Sequence, residues 1–256
     1  MRDIVIVASN SILRHPRIWK IAGSLKKRYN TMALGWNREG IPSTETYNYI
    51  TDLSLLGVKA PFGTPSLIFY YPIFWTWVFF SLIRHKPKIV HAIDLDTLLP
   101  CSLYKILFRK KLVYDVHDRF GGYVPPERTK LYSAVNLFEE LLSKQANVLV
   151  TVSEKVQNTF RLKPKHRVII ANFSEDYKFE EEKAKDGILT LVYTGLIRKD
   201  QGLETITMAI KDLNGVQLLL AGRIADKGVL DKVLELGHAR YMGILERHES
   251  LKLEAS

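Results

Sequence analysis

The chain opens with an unbroken β-rich apolar run, Ile4–Ala8, and then changes period. Pro16–Tyr29 places Ile18, Ile21, Ala22 and Leu25 at helical spacing, and Pro16 suits a first helical turn. The same change recurs along the chain. Short apolar runs at Thr31–Gly35, Tyr47–Ile50, Lys88–His91, Leu112–Asp115, Asn147–Val152 and Arg167–Ile170 predict strands. Helical patterns occupy Thr97–Phe108, Leu131–Lys144 and Glu154–Phe160. Strand and helix alternating in this way predict a parallel sheet covered on both faces. Residues 173–187 are acidic and lack an apolar period, so they read as a linker. The alternation then restarts, with strands at Leu189–Thr194, Val216–Ala221 and Arg240–Gly243 and helices at Leu203–Leu213, Lys227–Leu236 and Arg247–Ser256. The predicted organisation is a Rossmann-like domain over 1–172, a linker over 173–187 and a partial Rossmann-like domain over 188–256. Three strands fall short of the roughly five or six of a complete doubly wound half. The unpaired edges make a homo-oligomer or a completing partner chain an expectation.

One segment breaks the pattern. Leu67–Ile83 is 17 residues long, with 14 apolar and eight aromatic, and is followed by Arg84, His85, Lys86 and Lys88. A spanning helix needs about 20 apolar residues. Three readings stand at this point: a helix packed on the sheet, an interfacial element on anionic headgroups, and a span.

Composition narrows the class. The chain has 256 residues, 46% of them hydrophobic and 25% charged, which excludes a disordered, collagenous or coiled-coil protein. The only cysteine is Cys101, so neither a disulfide scaffold nor a four-thiolate zinc site is available. This usage and the short first apolar run fit a cytoplasmic protein without a secretion signal. The net charge of +10 is uneven: residues 1–172 hold 25 Lys+Arg against 12 Asp+Glu, and the remainder hold 12 against 15. A basic first half suits a phosphorylated substrate or an anionic membrane surface. No zinc-finger, RNP or other nucleic-acid signature accompanies the charge, so no nucleic-acid partner is expected.

The candidate chemistry lies at strand ends. His91-Ala92-Ile93-Asp94-Leu95-Asp96 follows one expected strand, and Tyr114-Asp115-Val116-His117-Asp118 follows the next. In open α/β sheets, ligands bind beyond the carboxyl ends of the strands. His117 in such a loop suits hydrogen bonding to a sugar hydroxyl or proton transfer. Asp94-x-Asp96 reads as a weak metal pair, and a helix N-cap explains Asp96 equally well. Arg14 and Arg17 flank the first strand–helix junction and suit a phosphate. Gly195, after the first strand of the second unit, suits a turn that presents backbone N–H groups to phosphate.

The stretches RHPRIWKIAGSL, KIVHAIDLDTLLP, KLVYDVHDRF, NLFEELLSKQANVLVTVSEKV, VIIANFS, LVYTGLIRKDQGLETITMAI, VQLLLAGR and RYMGILERHESL occur in one order. In that order the sequence resembles a family 4 retaining glycosyltransferase of the GT-B fold over nearly its whole length. The resemblance implies two Rossmann-like domains, the first for the acceptor and the second for a nucleotide-sugar donor. It implies catalytic roles for His117 and Asp118, the latter standing where the family has Glu. It implies acceptor-side roles for Asp96 and Glu139, and the positions of Arg14, Arg17 and Asp94 at strand ends add them to the expected acceptor side. Asn172 matches the Asn that ends the acceptor domain, and Gly195 the glycine of the donor-phosphate loop. No metal and no cofactor are implied; the nucleotide-diphosphate sugar is a co-substrate.

Two departures accompany the resemblance. Leu196 and Gln201 stand where the family has the Arg and Lys that hold the donor phosphates. Arg198 and Lys199 are the expected substitutes. The family's Glu-x7-Glu donor-gripping segment is absent, so the second domain reads as truncated. The resulting expectation is retaining hexosyl transfer from a nucleotide sugar to a lipid-linked or polysaccharide acceptor, at the inner face of the cell membrane. The alternative is a non-catalytic acceptor-binding or scaffold chain that needs a partner.

Overall fold

The structure is a computed structural model that describes residues 2–9, 12, 15–38, 40, 50, 52–61, 65–123, 128–162, 164–173 and 187–255. The chain divides into two compact units, Met1–Phe173 and Ser174–Ser256. Most of the expected linker, 174–186, lies outside the described residues, as does Arg14.

The first unit runs β1(Ile4–Ala8), α1(Pro16–Leu25), β2(Thr31–Trp36), β3(Leu53–Leu56), α2(Tyr71–His85), β4(Ile89–Ile93), α3(Leu95–Phe108), β5(Lys111–Val116), α4(Thr129–Ser143), β6(Val148–Thr151), α5(Glu154–Asn158) and β7(His166–Ile169). Among the described residues its strands form a seven-stranded parallel sheet in the order β3-β2-β1-β4-β5-β6-β7. The β1 run is buried throughout and alternates by face: Val5 and Val7 enter one core, Ile6 and Ala8 the other. The period of two along a strand dictates this split. The first core takes Phe74, Val78 and Leu82 of α2 and Leu98, Cys101 and Tyr104 of α3. The second takes Ile18, Trp19 and Ala22 of α1. Cys101 is a buried core residue, and burial pushes its thiol pKa up.

Two sequence expectations change here. Tyr47, Asn48 and Tyr49 of the expected strand at Tyr47–Ile50 lie outside the described residues, Ile50 is not in a strand, and the third strand is Leu53–Leu56. The apolar segment at Leu67–Ile83 forms a short 3-10 turn, Pro65–Phe69, followed by α2. No helix among the described residues is long and apolar enough to cross a membrane. Phe74 is a fully buried sheet-facing residue stacked on Trp36 at 5.1 Å between ring centroids. Phe74→Ala is therefore expected to lower stability by about 3–5 kcal/mol in chemical denaturation, the usual cost of truncating a buried Phe.

The second unit runs β8(Leu189–Thr194), α6(Leu203–Ile210), β9(Val216–Ala221), α7(Lys227–Leu234), β10(Ala239–Tyr241) and α8(Arg247–Ala255). Its described strands are parallel in the order β10-β9-β8. Ile197, Leu203, Leu218, Leu220, Val229 and Val233 form its core.

Candidate active site

In the first unit the strand order reverses direction between β1 and β4. Carboxyl ends of strands that flank such a point splay apart and leave a crevice. Ser9, Asp94 and Asp96 follow those two strands, and His117 follows the neighbouring β5.

Asp94 carries the local strain. Its backbone has φ 60° and ψ 169°, a region that is essentially reserved for glycine. Its amide donates to the Asp115 carbonyl at 2.9 Å, which pins the turn. Its Oδ1 accepts the His117 backbone N–H at 2.9 Å, and its Oδ2 lies 3.7 Å from His117 Nδ1. Burial raises the Asp94 carboxyl well above the usual range, and the Asp96 charge adds to the shift.

His117 stacks on His15 with ring centroids 5.0 Å apart. Burial lowers its pKa to about 4, while the Asp115 charge opposes the shift. The imidazole is thus neutral near pH 7, and its buried Nε2 has no hydrogen-bond partner among the described residues. Burial also lowers His15.

Beneath this pair lies an ion-pair cluster. Asp115 is fully buried, accepts from Arg17 Nη2 at 2.9 Å and lies 3.1 Å from His91 Nε2. Burial favours its protonated form, but the His91 hydrogen bond and the His91 and Arg17 charges outweigh this and leave the carboxyl below its ordinary range. Arg17 also donates to the Ile170 carbonyl at 3.1 Å, tying α1 to the end of β7.

Asp96 occupies the first turn of α3, where its carboxylate accepts from Ser9 Oγ and from Tyr71 at 3.2 Å. It does not cap the helix; Asp94 holds the N-cap position without a side-chain cap bond. Burial raises the Asp96 pKa, although the bonds from Ser9 and Tyr71 pull it down. Arg38 lies over the Trp36 ring and donates to the Ser9 carbonyl. The two carboxylates face different partners, and no group of three metal-ligating side chains occurs among the described residues.

The other expected residues fall into separate settings. Asp118 is exposed. Glu139 is fully buried on α4, accepting from Tyr114 at 2.8 Å with Arg119 at 3.0 Å, and burial raises its carboxyl. Arg119 itself lies 3.9 Å over Phe160, so this group braces α4 against the sheet. In the second unit Gly195 follows β8 and donates to the Ala221 carbonyl at 2.9 Å. A Cβ on Gly222 would meet the Gly195 oxygen at 1.9 Å, so only glycine permits these two turns to cross. Arg198 is exposed and pairs bidentately with Asp200 at 2.5 and 2.6 Å; Lys199 is exposed beside it.

Ser9, His15, Arg38 and Tyr71 in the first unit, and separately Gly222 in the second, are residues that the sequence does not single out. Ser9 alone carried a usable signal, since it ends the first strand.

A model of a known family, Glycosyltransferase Family 4, matches residues 38–173. The chain belongs to glycosyltransferase family 4. No curated relative matches this family member in sequence. Among solved structures, sucrose-phosphate synthase from Thermosynechococcus elongatus is similar with TM-score 0.76 and 14% identity, over 99% of this chain and 73% of that one. Anabaena HepE in complex with UDP and glucose matches with TM-score 0.66 and 13% identity, over 98% and 71%. The lipopolysaccharide outer core galactosyltransferase WaaB matches with TM-score 0.60 and 12% identity, over 98% and 71%. At these identities the likeness is one of fold. The fold of this glycosyltransferase-family chain is thus the GT-B-type α/β class expected from its sequence.

Proposed function

We propose that this chain transfers a hexose from a nucleotide-sugar donor to a lipid-linked or polysaccharide acceptor with retention. The observation that carries the reading is the strained Asp94 turn, which holds a neutral His117 with a free Nε2 at the sheet's switch point. Backbone strain concentrates where a site needs a fixed side chain. A neutral imidazole supplies a hydrogen bond to a sugar hydroxyl without placing a cation beside an oxocarbenium-like centre. In the reaction the bond from the anomeric carbon to the diphosphate breaks, and a bond from that carbon to the acceptor oxygen forms. The diphosphate departs with the electron pair, and its freed oxygen takes the proton that the acceptor hydroxyl loses. Arg198 and Lys199 supply charge for the departing group, and the Gly195–Gly222 crossing keeps the β8 turn tight. Crystallisation of HepE with UDP and glucose supports a nucleotide-sugar partner.

The acceptor side comprises Asp96, Arg17 and Asp94, with Ser9 and Arg38 beside them. We place the chain in the cytoplasm, peripheral on the inner membrane face. Exposed Ile73 and Phe80 on α2 and exposed Ile106, Leu107 and Phe108 on α3, flanked by Arg109, Lys110 and Lys111, support that placement.

Titration with UDP-glucose tests the reading. Saturable binding is expected, and Arg198→Ala is expected to weaken it about tenfold. The Arg198–Asp200 pair is exposed and screened by solvent, so phosphate can replace Asp200. The second reading, a non-catalytic chain completed by a partner, is favoured by that same engagement of Arg198 and by Leu196 and Gln201 at the two family cation positions. Failure of a panel of nucleotide sugars to bind would select it.

A further inference from the structure

Helices α2 and α3 enclose an open groove of about 330 Å³, within the range of small-ligand sites. Two stripes at helical spacing form its walls. Pro72, Trp75, Thr76, Phe79 and Phe80 line one side, and Leu99, Pro100 and Leu103 the other. Thr76 is the one hydroxyl-bearing wall residue, and its hydroxyl is committed to the Pro72 carbonyl at 2.7 Å. The groove therefore offers no free side-chain hydroxyl and selects for hydrocarbon.

Its α3 wall extends the helix face that carries Asp96. Asp96, Leu99, Pro100 and Leu103 stand at i, i+3, i+4 and i+7 on α3, so they share one face. Pro100 has no N–H and cannot bond the Asp96 carbonyl four residues back. Trp75 Nε1 takes that freed carbonyl at 2.6 Å while its ring lines the groove. Tyr71, next to Pro72, donates to the Asp96 carboxylate. Asp96 Oδ1 is buried and has no partner among the described residues, an unmatched acceptor about one helical turn before the wall residue Leu99. At the far end Phe80 and Leu103 are 62% and 47% exposed, and Ile106 and Leu107 extend the apolar surface. Clustered exposure of this kind marks a binding surface rather than a scatter of surface apolar residues.

We propose that the α2–α3 groove binds the hydrocarbon tail of a lipid-linked acceptor whose polar head reaches Asp96. This rests on the glycosyl-transfer reading of the site and selects the lipid-linked class of acceptor. The groove follows about 12 Å of the α2 axis from Pro72 to Phe80, enough to bury a run of methylenes. Tail and head are then recognised separately, and Trp75 couples the two.

Binding of methyl β-glucoside and octyl β-glucoside, the latter below its micelle concentration, tests this. The head is held constant and the tail varied, with tryptophan fluorescence as readout because Trp75 forms a wall. Octyl glucoside is expected to bind at least tenfold more tightly than methyl glucoside. Phe80→Glu and Leu103→Glu, on opposite exposed walls, are each expected to erase that gain while their thermal melts stay cooperative. Equal affinity for the two glucosides, no octyl glucoside binding, or a gain that survives both variants would overturn the proposal. Phosphatidylglycerol vesicles provide the other arm. If both Glu variants lose vesicle binding and the two glucosides bind alike, the face docks on a bilayer and the groove holds no tail. UDP-glucose titration of the same preparation reads the transfer reading independently. Loss of donor binding with an intact chain-length gain would remove that reading and leave the groove.

Discussion

Asp115→Ala is expected to lower the unfolding free energy by about 3–5 kcal/mol, the usual cost of removing one partner from a buried ion pair. Asp115 is fully buried beneath the site, with Arg17 and His91 as its partners. The Arg17 side chain is itself 7% exposed, so the variant strands a guanidinium whose remaining acceptor among the described residues is the Ile170 carbonyl. Water cannot compensate a charge held that deep. Chemical denaturation of Asp115→Ala and of the double variant Asp115→Ala/Arg17→Met measures this. The double variant is expected to recover part of the loss because it no longer buries an unpaired charge. A single-variant loss below about 1 kcal/mol, typical of an exposed pair, would show that the cluster is open to solvent.

His117→Ala is expected to reduce turnover about a hundredfold or more while leaving the fold intact. The residue ends β5, and its backbone N–H, rather than its ring, anchors the Asp94 turn, so truncation spares that bond. Its pKa of about 4 lies below the unfolded value of 6.5. The rate is therefore expected to run flat through pH 6.5, because the imidazole is already neutral there. A limb at pH 6.5 that His117→Gln removes would show that the ring acts as an ordinary titrating base. The same shift has a consequence for stability. Between about pH 6.5 and 4 the unfolded chain takes up a proton that the folded His117 refuses. Stability is full above pH 6.5 and falls as pH drops through this window, by about 1 kcal/mol per unit for one such group. His117→Gln is expected to flatten that slope, and the lowered His15 keeps a share of it.

Hydrophobic periodicity is a local property, and local properties were legible. The strand at Ile4–Ala8 coincides with an uninterrupted apolar run, and those at Leu189–Thr194 and Val216–Ala221 with β-rich runs in which only Thr190, Thr194 and Gln217 are polar. Helix ends were read two or three residues too long at α6 and α7, because terminal turns retain an apolar pattern after their hydrogen bonds stop. Leu53–Leu56 is only four residues long and is interrupted by Ser54, so its β character comes from pairing with β2 and not from a local pattern. Of the site, His117, Asp94, Asp96 and Arg17 were legible as polar residues just past strand ends or at the first junction. Tyr71 and Trp75 were hidden inside an aromatic segment that reads as apolar throughout, although each spends its polar atom on Asp96.

The order of residues alone thus determined the alternating architecture, the basic first half, the family resemblance and the polar clusters at the strand ends. Tertiary structure decided which of those polar groups meet. Ser9 reaches Asp96 across 87 positions and Arg17 reaches Asp115 across 98, contacts that no local period encodes. The reason is geometric. In a parallel sheet each strand returns through a crossover, so the carboxyl ends of distant segments gather at one edge. At that edge His91 and Arg17 hold Asp115 ionised against the cost of its burial, while burial holds His117 neutral beside His15. It also decides which side of each helix faces the core, burying Phe74 and leaving Phe80 at the mouth of the groove.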